Sequence, residues 1–319
     1  MKVRRRYIIP GSRATEGWKG FHMTNISEVF GLGQCSLDFL GTVDRFPPPD
    51  VKCELSETVI QGGGPVATAL VALSRWGAVC RFTGVIGDDL FGSMIRESLD
   101  KEGIDTSGLL VRKGTESQVA FITAEPEQEG RRTIFWRRPT GDPPTPEEVD
   151  CEGVCNTRVF LTDGLFPEAS LAAAKAARTA NVPVVVDAGT LREGMLDLAR
   201  VSDYFLASEH FARVLAGQGG PVAVCRRMAE LGPRVVGVTM GSKGCVALAD
   251  GHIIEQPAYP VKALDTTGCG DVFHAGFVYG LLQGWATARC LDFASWAASR
   301  VALRLGGRAG IPSLDSWNA

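Results

Sequence analysis

The sequence predicts an α/β protein built on a mainly parallel sheet that is covered by helices on both faces. Short apolar runs typical of buried strands alternate with alanine- and leucine-rich runs of helical length along most of the 319 residues. Glycine-rich turns separate several of these runs, as they do at strand-to-helix connections. Hydrophobic residues make up 45% of the chain and charged residues 22%, which is enough apolar material for a large core.

The first third of the chain begins the alternation. Prolines at 47–49 interrupt regular structure, and the Gly-Gly-Gly-Pro run at 62–65 places Pro65 where it suits the first turn of a helix. We predict a strand over 27–40, a helix over 66–76, a strand over 79–86 and a helix that ends at 99. Asp38 is therefore expected near the end of the first strand.

The middle of the chain departs from the alternation and then returns to it. Two β-rich runs, 118–123 and 132–136, flank a polar turn and predict a hairpin. Later strands are predicted over 159–162, 184–186, 204–207 and 235–239, with helices over 170–180 and 222–231 and two long helices at the end. Ligands of such sheets bind at the carboxyl ends of the strands.

The most informative motif is DTTGCGD at 265–271, followed by an apolar helical stretch from 272 to 282. Two glycines flanking one residue let the backbone point successive N–H groups at one place, where the helix dipole adds positive potential. Such a place binds phosphate oxygens. Asp271 would then stand beside the bound anion and could accept a proton from an attacking hydroxyl. The alternative is an ordinary loop in which Asp271 only caps the helix.

The longer run DTTGCGDVFHAGF at 265–277 resembles the C-terminal signature of the ribokinase (PfkB) family of small-molecule kinases, Asp-Thr-x-Gly-x-Gly-Asp. The resemblance extends from about Val29 to Pro312. It implies a three-layer ribokinase-like α/β core with a mainly parallel sheet, plus a small β lid. Lid segments are expected at about 43–61 and 115–138 of a kinase domain at 28–319, with a disordered extension at 1–27.

The resemblance implies an ATP-dependent kinase that phosphorylates a primary hydroxyl of a sugar or sugar-like molecule. Asp271 matches the general base of the family. The backbone amides of Gly268, Cys269, Gly270 and Asp271 match its anion hole for the transferred phosphoryl group. Phosphoryl transfer depends mainly on positioning and charge stabilisation, which such a hole supplies. The helix dipole would favour a reactive thiolate at Cys269, but a small residue that fits a tight turn is the favoured interpretation.

Candidate substrate-binding residues lie in the first half of the chain. Asp38 resembles the aspartate with which the family accepts hydrogen bonds from substrate hydroxyls. Gly62 and Gly63 resemble a glycine pair that lets substrate approach the backbone, although a helix-entry turn needs the same residues. Lys52 is a candidate for an anionic substituent and Trp136 for packing on a sugar or a base. A solvated charge and lid packing are the alternatives for these two.

Two departures from the family pattern leave the substrate open. Many relatives have an Asn shortly after the glycines, where this chain has Ala67. GGGPVATA at 62–69, together with 306–312, resembles a branch of the family that includes sulfofructose kinase. The loop at 163–166 has no basic residue for a sulfonate, so we do not predict a sulfonated sugar.

The nucleotide side of the resemblance is carried by the TMGSKG run at 239–244. It is similar to the Thr-x-Gly-x-x-Gly loop of the family, which implies nucleotide contacts for Thr239, Gly241 and Gly244. A plain hairpin turn needs the same glycines. By the same analogy Ala298 lines an adenine pocket, although small residues in a helix usually indicate close packing.

Ions are expected at the same site. Magnesium is expected because it bridges nucleotide phosphates. Ser208 replaces the Asn of the family's Asn-x-x-Glu motif and is a candidate nucleotide-binding residue. Glu209 is a candidate for contacting magnesium through a water molecule. The alternative is that Glu209 is an ordinary surface residue. The resemblance also places a monovalent cation such as K⁺ near Asp265 and Thr267.

The composition argues against several other classes. A net charge of −3 provides no polycation for nucleic acid or membrane, and nine cysteines without a paired framework suit a cytoplasmic protein. No Walker motif and no Gly-x-Gly-x-x-Gly turn after the first strand are found, which disfavours P-loop kinases and nicotinamide dehydrogenases. The resemblance to the ribokinase family, in which dimers through the lid are common, makes a homodimer through the lid one possible assembly.

Two other functions remain open at this point. Trp136 and the missing Asn leave room for a base, so a nucleoside kinase on the same fold is the nearest alternative. The altered segment at 208–211 is compatible with a non-catalytic metabolite or nucleotide sensor, although the retained Asp271 argues against it.

Overall fold

The computed structural model of the chain describes residues 27–216 and 219–317, and its strands form two separate sheets. The expected extension at 1–27 lies outside the described residues except for Ser27, which is buried. In chain order the strands are β1 (Val29–Leu32), β2 (Ser36–Thr42), β3 (Thr58–Gly63), β4 (Cys80–Gly87), β5 (Asp105–Arg112), β6 (Val119–Glu125), β7 (Arg131–Arg137), β8 (Val159–Thr162), β9 (Val184–Ala188), β10 (Tyr204–Ser208), β11 (Val235–Thr239), β12 (Cys245–Ala249) and β13 (His252–Gln256).

The helices of the described residues separate and follow these strands. They are α1 (Pro65–Arg75), α2 (Leu90–Asp100), α3 (Cys151–Cys155), α4 (Pro167–Thr179), α5 (Met195–Arg200), α6 (Glu209–Ala216), α7 (Pro221–Ala229), α8 (Cys269–Leu282) and α9 (Thr287–Val301). Pro65 occupies the first turn of α1, as predicted. No helix within 27–216 or 219–317 combines the length and apolarity that crossing a membrane requires.

The larger sheet has nine strands in the order β13-β12-β11-β10-β9-β8-β1-β4-β5. Every neighbouring pair from β11 to β5 is parallel, and only the β11-β12 and β12-β13 pairs are antiparallel. Alternate residues of its strands enter different apolar cores: Val29 joins α1, α2, α8 and α9, while Phe30 joins α3 to α7. This two-sided packing confirms the predicted three-layer α/β fold.

The predicted first strand is wrong in its extent because the chain leaves the larger sheet at 33–35. Gly33 packs so closely on the Asp163 carboxylate that a side chain at Gly33 would overlap it. The backbone N–H of Gln34 donates a hydrogen bond to Asp163 Oδ2 at 2.8 Å. These contacts divide the segment into β1 and β2. Asp38 therefore lies within a strand of the smaller sheet.

The smaller sheet has the order β3-β2-β6-β7. The predicted hairpin is present as the antiparallel pair β6-β7, and β2 supplies a central strand that the sequence did not predict for this sheet. Leu40, Ile122 and Ala124 pack on Leu305, which attaches one face of the sheet to the C-terminal segment. That face is turned toward the loop that precedes α8.

Candidate active site

The loop before α8 has the geometry of an anion site. Gly268 begins the helix in the left-handed region at φ +77°, and a side chain there would overlap Cα of Gly307. Among the described residues nothing accepts a hydrogen bond from the amides of Gly268, Gly270 or Asp271. The Cys269 amide has a long bond, 3.4 Å, to the Thr266 carbonyl. Three free amides thus converge at the positive end of a 14-residue helix.

Asp265 holds this loop in place. It is fully buried, its Oδ1 accepts hydrogen bonds from the Thr267 amide at 2.9 Å and hydroxyl at 2.7 Å, and its Oδ2 accepts one from the Gly306 amide at 2.8 Å. Asp265 and Thr267 therefore brace the loop. The structure, over the residues it describes, contains no cluster of three His, Cys, Asp or Glu side chains that could hold a metal ion.

Asp271 lies in the first turn of α8, partly buried beside the free amides. Burial, and then the negative charge of Asp187, raise the pKa of Asp271 well above its usual range, and Arg132 opposes this effect. A carboxylate with a raised pKa is a better proton acceptor near neutral pH than an ordinary one. No side-chain hydrogen bond to Asp271 is found among the described residues, so its oxygens are available to a ligand.

Two further carboxylates come from the carboxyl ends of neighbouring parallel strands. Asp163 follows β8, where burial raises its pKa to about 6, and Asp187 lies in β9. His274, one helical turn after Asp271, lies with Nδ1 3.3 Å from Asp187 Oδ2 and 2.7 Å from the Gly270 carbonyl. His274 is buried. Asp163 and Asp187 are among the charges that raise the pKa of Asp271.

Arg132 brings positive charge to this region from β7. Its Nη1 donates to Thr266 Oγ1 at 2.8 Å, and its charge lowers the pKa of Asp271. The Thr266 amide and hydroxyl both donate to the Gly130 carbonyl in the turn between β6 and β7. The smaller sheet is therefore hydrogen-bonded to the anion loop.

Asp38 faces the same region from β2. Ser36, two residues earlier on the same face, donates its hydroxyl to Asp38 Oδ1 at 2.6 Å. Burial raises the pKa of Asp38, while the Ser36 hydrogen bond and the charge of Arg308 oppose the rise. Asp38 is also one of the charges that raise the pKa of Asp271, so the two predicted carboxylates belong to one site.

The glycine pair of β3 has a physical reason that differs from the predicted one. A side chain at Gly63 would overlap the carboxylate of Asp38, and one at Gly62 would overlap Ser98 and the guanidinium of Arg308. Both glycines therefore make room for charged side chains of the protein itself. This role does not depend on a ligand approaching the backbone.

Trp136 lies on the same face of the smaller sheet as Asp38. The strand register pairs Asp38 with Ala120 and Ala120 with Trp136, so the three form one row across β2, β6 and β7. Trp136 is 52% exposed, and the Arg138 guanidinium lies 4.7 Å from the centre of its ring. The exposed ring is available to a ligand that also reaches Asp38.

Lys52 is not brought to these residues by any contact in the described structure. It is exposed in the segment between β2 and β3 and lines a surface cleft with Phe46 and Val51. It forms no ion pair or side-chain hydrogen bond among the described residues. The structure therefore supports the alternative interpretation of Lys52 as a solvated charge.

The predicted nucleotide loop connects β11 to β12. Gly241 and Gly244 have positive φ of 58° and 86°, and a side chain at Gly244 would overlap the Gln256 carbonyl. Thr239 pairs in register with Ser208 at the carboxyl ends of β11 and β10. The turn thus lies beside the other predicted nucleotide residue, at the edge where ligands of parallel sheets bind.

Ser208 and Glu209 have protein partners. Ser208 Oγ accepts a hydrogen bond from the Phe211 amide at 3.0 Å and donates to the Gly189 carbonyl at 2.7 Å, which caps α6. Glu209 Oε1 lies 3.2 Å from Lys243 Nζ in the nucleotide loop. Ala298 is partly buried on α9 and packs against the core, and Cys269 is no thiolate because burial raises its pKa to about 12.

Sequence reasoning missed five residues of the site: Ser36, Arg132, Asp163, Asp187 and Arg308. The signal for Ser36 was its spacing of two from Asp38, which places both on one face of a strand. Arg132 stood among several arginines of a hairpin, and nothing local distinguished it. Arg308 was part of a quoted motif but had no assigned contact.

Comparisons with known proteins find relatives over most of the chain. The model of the family described as pfkB family carbohydrate kinase matches residues 27–314. Ribokinase of Bacillus subtilis (strain 168) is 28% identical over 291 residues, covering 88% of this chain and 95% of that protein. A nucleoside kinase of Methanothermobacter thermautotrophicus is 26% identical over 299 residues, covering 91% and 94%.

A solved structure shows the same fold. Ribokinase of Arabidopsis thaliana, complexed with ribose and ATP, superposes with a TM-score of 0.78 at 24% identity, covering 91% of this chain and 97% of that one.

Proposed function

Because the chain belongs to the pfkB family of carbohydrate kinases, it is a phosphotransferase with a hydroxyl acceptor, and we propose that it transfers the γ-phosphate of ATP to a primary hydroxyl of a sugar or sugar-like substrate. In the proposed step the hydroxyl oxygen bonds to the γ-phosphorus while the bond from that phosphorus to the bridging oxygen of ADP breaks. The hydroxyl proton passes to Asp271. ADP and the phosphorylated substrate are the products.

One observation carries this proposal: Asp271, with its raised pKa, stands beside three backbone amides that have no hydrogen-bond partner among the described residues. The amides of Gly268, Gly270 and Asp271 would stabilise negative charge on the transferred phosphoryl oxygens. Gly270 has open space where a side chain would point, as a bound phosphoryl group requires. The Cys269 amide, already bonded to Thr266, is the weakest member of the hole.

Arg132 is proposed as the side chain that neutralises the transferred charge. It lies close enough to Asp271 to lower its pKa and is fixed on the anion loop through Thr266. An arginine can contact two phosphoryl oxygens at once. Because Arg132 belongs to the smaller sheet, this role also gives that sheet, including the segments 43–61 and 115–138, its proposed function as a lid.

The nucleotide is proposed to lie along the ends of β10 and β11, between the 239–244 loop and α9. Magnesium, when bound, would neutralise charge on the nucleotide phosphates, and it usually keeps several waters with one or two carboxylates. Glu209 is exposed enough to act through water but is shared with Lys243. We propose no ligand role for Asp265 beyond bracing the loop, because its oxygens already accept three hydrogen bonds.

The test is an acceptor panel with the purified full chain. ADP formation from MgATP is measured with ribose, fructose, other aldoses and ketoses, and nucleosides, and the phosphorylated position is read by ³¹P NMR. The proposal expects ADP formation that depends on one class of acceptor and a phosphomonoester on a primary carbon. ATP binding without transfer to any polyol would favour a sensor and would contradict it.

A nucleoside kinase is the second candidate, and Trp136 is the observation that favours it. The exposed ring lies in one row with Asp38, so a base could stack on it while the ribose meets the carboxylate. The Trp136→Ala variant should raise the KM for a nucleoside roughly tenfold, since stacking of a base on an aromatic ring contributes about 1–3 kcal/mol. The same variant should raise the KM for a pentose or hexose acceptor by a smaller factor.

A further inference from the structure

Arg308 is a buried charge that the proposed reaction does not use. It is 5% exposed, and its Nη1 donates to Ser98 Oγ at 3.2 Å. Neither Nε nor Nη2 has a hydrogen-bond partner in the described part of the chain, and no ion pair involving Arg308 occurs there. Burial lowers the pKa of Arg308 to about 10, so the group remains charged at neutral pH. An unpaired buried charge destabilises a fold, so its presence calls for a function.

The contacts of two consecutive glycines show where this charge lies. A side chain at Gly62 would overlap the Arg308 guanidinium, and a side chain at Gly63 would overlap the Asp38 carboxylate. Successive residues of a strand point to opposite faces. Arg308 and Asp38 therefore lie on the two sides of the same strand end, separated by β3. The guanidinium lies on the side of the strand opposite the Asp38 carboxylate.

Asp38 and Arg308 influence each other more than other charges do. Among charged groups, Arg308 is the largest influence that lowers the pKa of Asp38, and Asp38 is the largest that raises the pKa of Arg308. Asp265, in the loop before α8, acts on Asp38 in the opposite direction. Glu102, after α2, attracts Arg308, while Arg75 of α1 repels it.

We propose that Arg308 is a positioning residue whose charge, acting across β3, keeps Asp38 ionised as an acceptor of hydrogen bonds from substrate hydroxyls. The inference rests on the proposed function, which assigns Asp38 to the substrate. Anchoring of the C-terminal segment is a separate matter, because Arg75 Nη1 donates to the backbone carbonyl of Arg308 at 2.6 Å. That contact does not need the Arg308 side chain.

The direct test is the titration of Asp38 in the full chain without ligands. The protein is labelled with ¹³C at aspartate carboxyls, and the Asp38 signal is assigned from its absence in Asp38→Asn. In Arg308→Met the Asp38 signal should titrate at a pH at least one unit higher than in the unchanged protein. Arg308→Lys, which keeps the charge, should restore most of the difference. Arg75→Met removes the contact to the Arg308 carbonyl and the ion pair with Glu102 but keeps the Arg308 side chain, so it should shift the Asp38 titration far less than Arg308→Met does.

Kinetics provide the second reading, with D-ribose and D-fructose as the acceptor probes. Arg308→Met should raise the KM for whichever acceptor is turned over by at least tenfold, with kcat and the KM for ATP within about twofold of the unchanged protein. The acidic limb of kcat/KM for the acceptor should move to higher pH, because a protonated Asp38 accepts hydrogen bonds less well.

The outcomes separate this inference from the proposed function. An unchanged Asp38 titration in Arg308→Met, or an equal shift in Arg75→Met, overturns the inference. If the titration shifts as expected but neither sugar nor any other acceptor is phosphorylated, the proposed function fails and the pairing of the two charges stands. Melting temperatures guard against misfolding, and Arg308→Gln replaces Arg308→Met if the latter does not fold. Loss of an unpaired buried charge should not lower the melting temperature.

Discussion

At the scale of single residues, the site is defined by how burial and neighbouring charges change ordinary carboxylates. Asp38 and Asp271 were predicted from sequence because motifs identify residues by position along the chain. The effects of Asp187 and Arg132 on Asp271 could not be predicted, since those residues come from β9 and β7 and only the fold brings them near. The same holds for Arg308, because only the folded structure shows that its buried Nε and Nη2 have no hydrogen-bond partner among the described residues.

The raised pKa of Asp271 predicts a pH effect on stability. A group whose pKa is raised in the folded state binds its proton more tightly there than in the unfolded chain, so ionisation destabilises the fold as pH rises through that range. Asp271→Asn removes this effect. We expect its melting temperature to exceed that of the unchanged protein at pH 7, and the difference to vanish at pH values below the pKa of an ordinary aspartate. Calorimetry at several pH values measures the melting temperatures of the two proteins. Equal melting temperatures at every pH would contradict a raised pKa of Asp271 in the folded state.

Arg132 gives a second prediction at this scale. Removing its charge in Arg132→Met should lower kcat by about 10²–10³-fold, which is typical for loss of one group that stabilises a transition-state charge. The same change should move the acidic limb of kcat/KM to higher pH, because Arg132 holds the pKa of Asp271 down. Arg131→Met is the matched control, since Arg131 immediately precedes Arg132 in β7, points to the opposite face of the sheet and pairs with Glu125 of β6. A comparable loss in both variants would remove Arg132 from the site.

At the scale of elements, the two glycines of the loop before α8 are required for different structural reasons. Gly268 is required by its backbone angle and by the close approach of Gly307, whereas Gly270 has ordinary angles and open space above it. The sequence motif treats the two alike. Local pattern likewise predicted most strands and helices of the larger sheet, but it joined β1 and β2 because Gly33 and Asp163 meet only in the folded chain.

Three glycine substitutions distinguish a requirement for stability from a requirement for catalysis. Gly268→Ala should cost about 1–3 kcal/mol of stability and also lower activity, because it strains the backbone and displaces Gly307. Gly270→Ala should keep full stability, since alanine favours a helix by up to about 1 kcal/mol. Its methyl group would occupy the phosphoryl position, so kcat should still fall at least tenfold.

Gly284→Ala is the control for backbone strain alone. Gly284 has a similar φ of 70° but nothing nearby, so its substitution should cost about 1 kcal/mol without affecting kcat. Urea unfolding and steady-state kinetics on the three variants provide the comparison. A normal kcat in Gly270→Ala would show that the transferred group does not bind over that residue.

At the scale of the whole molecule, the smaller sheet has one face toward the site and one face toward solvent. The register places Ile60, Phe39, Phe121 and Phe135 in one row across the solvent face. Phe121 is 55% exposed and Phe135 57%, which is unusual for aromatic side chains of a monomer. The homodimer that the family resemblance suggests is proposed to form on this face.

Oligomeric state tests the dimer proposal. Phe121→Glu places a charge at the centre of the row and should shift light-scattering mass after size exclusion from dimer to monomer. Val214→Glu, on α6 and equally exposed, is the matched control and should leave the mass unchanged. A monomeric unchanged protein at micromolar concentration would contradict the dimer proposal while leaving the site unaffected.

The most direct test of the central claim is the rate of acceptor-dependent ADP formation by Asp271→Asn, measured together with ATP binding by calorimetry. With Asp271 as the base, the rate should fall about 10²–10⁴-fold while ATP binds within a few-fold of its affinity for the unchanged protein. A near-normal rate in a folded Asp271→Asn protein that still binds ATP would contradict the account.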